Sequence, residues 1–175
     1  MKVNTIGFIG GGRITHIFLK ALSDSTLTPD RVTVSDDRPE ALAKLRSAFP
    51  EISVTSDNRQ SIAKDLVFIA LHPPAIQAVL PQIKDSLPQQ SVVVSLAPVV
   101  SFRKLSDLLG GFQRMVRQIP NAPSIVHAGY NPVAFSPAIS ADERAEIEAI
   151  LQPLGQNPVV AEETLEAYAI LAAMG

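Results

Sequence analysis

The chain has 175 residues, a formal net charge of −2 and no cysteine. That length suits one well-buried core, the charge gives no electrostatic reason to expect a nucleic-acid partner, and the missing thiols exclude disulfides, zinc–thiolate sites and thiol nucleophiles. With no charged-then-apolar leader and no long apolar run, the expectation is a cytoplasmic protein that does not enter a membrane.

The first predicted element is an apolar strand over Thr5–Ile9, which runs into Gly10-Gly11-Gly12 and then into a helix. Ile14, Ile17, Phe18, Ala21 and Leu22 fall at the i, i+3, i+4, i+7, i+8 spacing of a helix that covers a sheet. Further strands are expected at Arg31–Ser35, Ile52–Thr55, Leu66–Leu71, Ser91–Leu96 and Gln113–Ile119, with a helix carrying Ile76, Val79, Leu80, Ile83 and Leu87 between the fourth and fifth. Alternation with short connections predicts right-handed βαβ units in a parallel sheet. From Pro120 to Gly129 the chain is too short and too rich in Pro and Gly for a crossover helix, so a strand over Tyr130–Ser136 should return antiparallel at one edge. Ser140 caps a following helix that has Asp142 and Glu143 in its first turn and turns Ile147, Ile150, Leu151 and Leu154 inward. Val159 and Val160 predict one last strand.

The fold class is therefore α/β: a doubly wound, Rossmann-type, mostly parallel sheet with an antiparallel extension, followed by the start of a helical region. Residues 1–162 are expected to form the dinucleotide-binding unit. Residues 163–175, with Leu165, Tyr168, Ala169 and Ala172 on one face, read as the first helix of a second, helical region, the alternative being an ordinary C-terminal helix packed back on the domain.

In such a sheet, ligands bind beyond the carboxyl ends of the strands where strand order reverses. Gly10 suits the tight turn out of the strand, and Gly12 allows close approach to a pyrophosphate held at the N-terminus of the helix. Thr15 stands where the G-x-G-x-x-G/A pattern has a small residue. Asp36, at the end of the second strand, is at the distance expected for an acid that reads the ribose. The other converging segments are Ser35–Arg38, Leu71–Pro74, Ser95–Ser101 and the loop Pro120-Asn121-Ala122-Pro123. In that loop two prolines bracket one amide side chain, which either lines the site or caps its own backbone. His72, at a strand's carboxyl end, is the imidazole best placed to meet a cofactor or donate a proton. His16 and His127 are expected to have surface or structural roles, and no spacing suggests a metal site.

The chain resembles pyrroline-5-carboxylate reductase and its relatives, a group overlapping the coenzyme F420-dependent NADP oxidoreductases. Ile6–Thr15 is similar to the family's IGFIGxGxMA start, Val34–Arg38 to V-S-x-R, Asp65–Pro73 to D-x-V-F-L-A-V-K-P, and Ser95–Ser101 to S-I-A-A-G-V-S. Arg117–Pro123, with Gly129 beyond it, is similar to R-x-M-P-N-T-P and is the most specific of these matches. The resemblance implies a Rossmann domain that binds NADPH or NADH, hydride delivery to the C=N bond of a cyclic imine, and a C-terminal helical domain that interlocks two subunits. It places Gly10, Gly11, Gly12, Arg13 and Ile14 on the cofactor phosphates and Ser35 and Arg38 at the adenosine ribose. It also sets His72, Pro73, Ala97 and Asn121 along the route to the nicotinamide. Arg13 and Arg38 favour NADP over NAD, because two guanidinium groups suit a 2′-phosphate, whereas Asp36 would repel it unless it turned to solvent.

The sequence departs from the family where the substrate would sit. The family's D-A-x-T-A-L-S-G-S-G-P helix is replaced by Glu166–Gly175, so a Thr hydroxyl becomes Ala169 and the small polar cradle becomes Ala172, Ala173 and Met174. His72 replaces a Lys, Arg13 an Asn and Ala122 a Thr. These changes predict a divergent relative that reduces an imine or carbonyl of a different, less polar small molecule. The alternative is a non-catalytic dinucleotide-binding module or redox sensor acting through a partner.

Overall fold

The structure, a computed structural model, describes residues 2–23 and 31–173, and for residues 169–173 the backbone alone. Ala169, Ala172, Ala173 and Met174, the residues that carry the substrate-side departures, thus have no described side chain. The strands are β1 (Ile6–Ile9), β2 (Val32–Ser35), β3 (Ser53–Thr55), β4 (Leu66–Ile69), β5 (Val92–Ser95), β6 (Met115–Gln118), β7 (Gly129–Tyr130), β8 (Val133–Phe135) and β9 (Gly155–Gln156). The helices are α1 (Arg13–Leu22), α2 (Pro39–Ala48), α3 (Asn58–Ile62), α4 (Pro73–Ile83), α5 (Phe102–Leu108), α6 (Ala141–Leu151) and α7 (Glu162–Ala173). Seven strands form one sheet in the order β3-β2-β1-β4-β5-β6-β8, parallel except for β8, which pairs antiparallel with β6. Strand order reverses between β1 and β4, so their carboxyl ends open the crevice in which such sheets bind ligands.

Both faces of the sheet are covered, and side-chain alternation divides the core in two. Phe8 and Phe68 stack at 4.7 Å on one face, and Phe18 of α1 closes over them edge-on at 6.1 and 5.3 Å. Val67 and Ile69 turn to the other face, where Ile76, Leu80 and Ile83 of α4 are buried with them. The periodic positions expected on α1, α4 and α6 are the ones buried, with Ile14 and Val79 only partly so.

The single strand expected over Tyr130–Ser136 is broken at Asn131–Pro132. Asn131 is fully buried and its backbone N–H donates to Gln156, while Pro132 has no N–H to offer a ladder. β7 therefore pairs with β9 in a separate two-stranded sheet, and only β8 joins the main one. The strand expected at Val159–Val160 is a single parallel bridge from Val159 to Val133, because Pro158 interrupts the donor pattern.

Leu165 follows the alternative reading of its helix: it packs back on the domain, fully buried within the chain against Ile119 and Ala134 and not left for a second unit to cover. Arg117 explains the docking: it is buried, its Nη1 donates to Glu162 at 2.6 Å with Glu166 at 3.5 Å, and its Nη2 donates to the Pro98 carbonyl at 2.5 Å. The first turns of α7 are thereby tied to the main sheet.

Candidate functional site

The site begins where β1 enters α1. Gly10 has φ +101°, and a Cβ there would lie 2.5 Å from the Ala70 carbonyl oxygen, so the fold itself requires glycine. A Cβ at Gly11 would meet the Leu45 side chain at 2.9 Å. Gly12 differs from both: its φ is −80° and a Cβ would meet nothing within 4 Å. Space above the helix N-terminus, not the fold, is what a side chain at position 12 would take.

Gly12 is the N-cap of α1 and no side chain caps it. Among the described residues, the amides of Gly12, Arg13 and Ile14 find no acceptor. Uncapped amides at the positive end of a helix suit an anion. Thr15 fits the third motif position by folding inward, fully buried, with its hydroxyl donating to the Gly10 carbonyl.

Asp36 is buried and does not turn to solvent, which corrects the expectation from sequence. Its Oδ2 accepts from the Gly11 amide at 2.7 Å and from Arg38 Nη2 at 3.1 Å, and its Oδ1 accepts from the Arg38 backbone at 2.9 Å and from Nε at 3.0 Å. Burial alone would push the carboxyl up, but the hydrogen bonds from Arg38 and Gly11 outweigh it and hold Asp36 below its ordinary value. The same pairing raises the Arg38 guanidinium further. Ser35, expected at the ribose, is not brought there: its side chain is buried and its hydroxyl donates back to the Phe8 carbonyl at 3.3 Å.

Two clefts flank the glycine turn. The first, of about 360 Å³, lies between the start of α1 and α2 and is walled by Gly11, Gly12, Arg13, His16, Arg38, Glu40, Ala41, Lys44 and Leu45. His16 also packs edge-on against Phe49 at 5.1 Å. Lys44 was missed from sequence, although Glu40, Ala41, Lys44 and Leu45 share one helical face at i, i+1, i+4, i+5 just beyond Arg38.

The second cleft, of about 250 Å³, is lined by Ile14, Ala70, Leu71, His72, Pro73, Leu96, Ala97, Pro98, Ile119 and Pro120. It is apolar apart from His72, which is exposed at the N-cap of α4 and makes no side-chain cap bond. Its lining stops at Pro120. Asn121 is instead committed to its own loop: its carboxamide oxygen accepts from the Tyr130 amide at 3.2 Å, and its backbone N–H donates to Asn131 Oδ1 at 3.0 Å. Of the predicted site residues the structure gathers Gly11, Gly12, Arg13 and Arg38 on one side and Ile14, His72, Pro73 and Ala97 on the other. Gly10 and Asp36 support them from below. Among the described residues, no three His, Cys, Asp or Glu side chains stand close enough to hold a metal ion, and no helix is long and apolar enough to cross a membrane.

This sheet order and glycine turn define a Rossmann-type dinucleotide fold. The family model for coenzyme F420-dependent NADP oxidoreductases matches residues 5–98, and the chain belongs to that family. Among curated proteins it is 30% identical over 158 residues to the pyrroline-5-carboxylate reductase of Escherichia coli, an alignment covering 90% of this chain and 59% of that one. It is 27% identical to the enzyme of the same name from Corynebacterium melassecola, covering 94% and 62%. Among solved structures, a pyrroline-5-carboxylate reductase from Coxiella burnetii superposes with a TM-score of 0.88 at 29% identity, covering 98% of this chain and 64% of that one. A Plasmodium falciparum pyrroline carboxylate reductase solved with NADP bound shares the fold, with a TM-score of 0.85 at 16% identity over 98% of this chain and 63% of that one. The chain spans about three fifths of the length of these relatives.

Proposed function

We propose that this chain binds NADP(H) across the crevice and serves the reduction of a C=N or C=O bond in a small, uncharged molecule. One observation carries the proposal: an open glycine at an uncapped helix N-terminus, with a cationic cleft on one side and an apolar one on the other. The residues present fit the dinucleotide. The free amides of Gly12, Arg13 and Ile14 suit the pyrophosphate, Arg38 and Arg13 suit a 2′-phosphate, and the apolar cleft suits a nicotinamide ring. When bound, the cofactor supplies the hydride. Ile14, Leu96, Ala97 and Pro98 exclude water from the reacting end, and the exposed His72 imidazole stands at its rim as the group that holds or donates the proton. The relatives' names, and the NADP in one of their structures, support the dinucleotide and the reduction; the uncharged substrate departs from the carboxylate in those names and rests on the apolar cleft and on Ala169, Ala172, Ala173 and Met174 in place of polar residues.

Homodimerisation through residues from 163 onward belongs to this proposal and rests on the family resemblance, and a cytoplasmic location belongs to it as the expectation drawn from the sequence. So does a boundary between the dinucleotide unit and a helical unit at residues 162 and 163. Sedimentation of the complete natural protein tests the dimer, and a stable monomer would contradict it.

Chemistry is tested by screening cyclic imines and small carbonyl compounds for NADPH oxidation. In the complete natural protein, His72→Ala should slow the best substrate by about 10²-fold or more while leaving NADPH affinity within about twofold. An unchanged rate would remove His72 from the mechanism.

A further inference from the structure

We propose that Lys44 is a specificity-determining residue for the 2′-phosphate of the cofactor, and that Asp36 acts as a positioning residue for Arg38 rather than as a ribose reader. The inference rests on the dinucleotide-binding proposal above and goes on to say what selects between its two forms.

An acid at the end of the second strand ordinarily accepts a hydrogen bond from a free 2′-hydroxyl and repels a 2′-phosphate. Here that capacity is used up. A carboxylate offers about four acceptor positions, and Asp36 already receives the Gly11 amide and three N–H groups of Arg38. Its charge is matched by the guanidinium it grips, so it neither greets a hydroxyl nor turns a phosphate away. What the bracket does is fix Arg38, whose side chain is 56% exposed, with its remaining Nη1 donors unpartnered among the described residues.

Lys44 sits one helical turn beyond Glu40, on the α2 face that walls the same cleft, and Arg13 faces it from the first residue of α1. Among the described residues neither Arg13 nor Lys44 makes a side-chain hydrogen bond or an ion pair. Three cations thus border one cleft of about 360 Å³ against a single exposed carboxylate, Glu40. Arg38 presents a fixed fork, whereas Lys44 is a mobile point charge on a long stem that can follow a phosphate into place. A dianionic phosphomonoester is the group this arrangement suits, and a bare ribose would leave Arg13 and Lys44 with nothing to meet.

Two fragments that lack the nicotinamide give the test: adenosine 2′,5′-bisphosphate and 5′-AMP, titrated calorimetrically alongside NADPH and NADH. The wild-type chain should prefer the bisphosphate. Lys44→Met should weaken bisphosphate and NADPH about tenfold, leave 5′-AMP and NADH within about twofold, and be largely rescued by Lys44→Arg. Asp36→Asn should lower the same preference by freeing Arg38, with a smaller loss for 5′-AMP. If NADPH and NADH bind equally well, or if Lys44→Met weakens all four ligands alike, the inference is overturned and the dinucleotide reading stands. If none of the four binds, both fall together.

Discussion

At Gly10 the backbone lies at φ +101° with the Ala70 carbonyl 2.5 Å from where a Cβ would be, and two residues later Gly12 has neither constraint. Gly10→Ala should therefore destabilise the chain by about 1–3 kcal/mol, read as a lower denaturation midpoint, through strain in a left-handed torsion and a backbone clash. Glu143 offers a test by pH. It caps α6 reciprocally with Ser140 and accepts a hydrogen bond from Arg114. Burial would push its carboxyl up, but the bonds from Arg114 and Ser140 outweigh it and hold the group down to about 2 from an ordinary 4.5. Because its folded value is depressed, its stabilisation is complete above about pH 4.5 and is lost as pH falls toward about 2. Glu143→Gln should cost about 1–2 kcal/mol at pH 7, and urea denaturation at pH 3 should show the gap to the wild type narrowing. A gap independent of pH would contradict the assignment.

At the scale of elements, the sheet and its covering helices were legible because their apolar periods of 2 and 3.6 are set locally and repeated in every unit. Side-chain direction was not. Ser35, Asp36 and Asn121 stand where their positions suggested, yet each is turned by a partner: the Phe8 carbonyl, the Gly11 amide with Arg38, and the Tyr130 amide. No local pattern announces Phe8 or Gly11, which lie 27 and 25 residues away, whereas Arg38 closes a local turn two residues beyond Asp36 and the loop bond of Asn121 follows one of the two readings open for it. Helix α7 is the clearest case, since its packing depends on Arg117, 45 residues before Glu162, reaching it from β6. Leu165→Asp should accordingly destabilise the chain by about 3 kcal/mol or more through a charge placed against Ile119 and Ala134. The effect should not depend on protein concentration, and a loss that disappears at high concentration would point to a partner subunit instead.

At the scale of the molecule, the arrangement divides labour across one turn: Gly10 and Asp36 hold the backbone in place, Gly12 keeps it open, and the clefts on either side differ in charge as the two ends of a dinucleotide do. The most direct measurement is a titration of the wild-type chain and of Gly12→Val with NADPH, followed by nicotinamide fluorescence, with thermal melts of both proteins. The wild type should show a saturable change. Gly12→Val should lose at least about tenfold in affinity while melting close to the wild type, since its side chain enters open space. No saturable change in the wild type, or equal binding by the variant, would contradict the account.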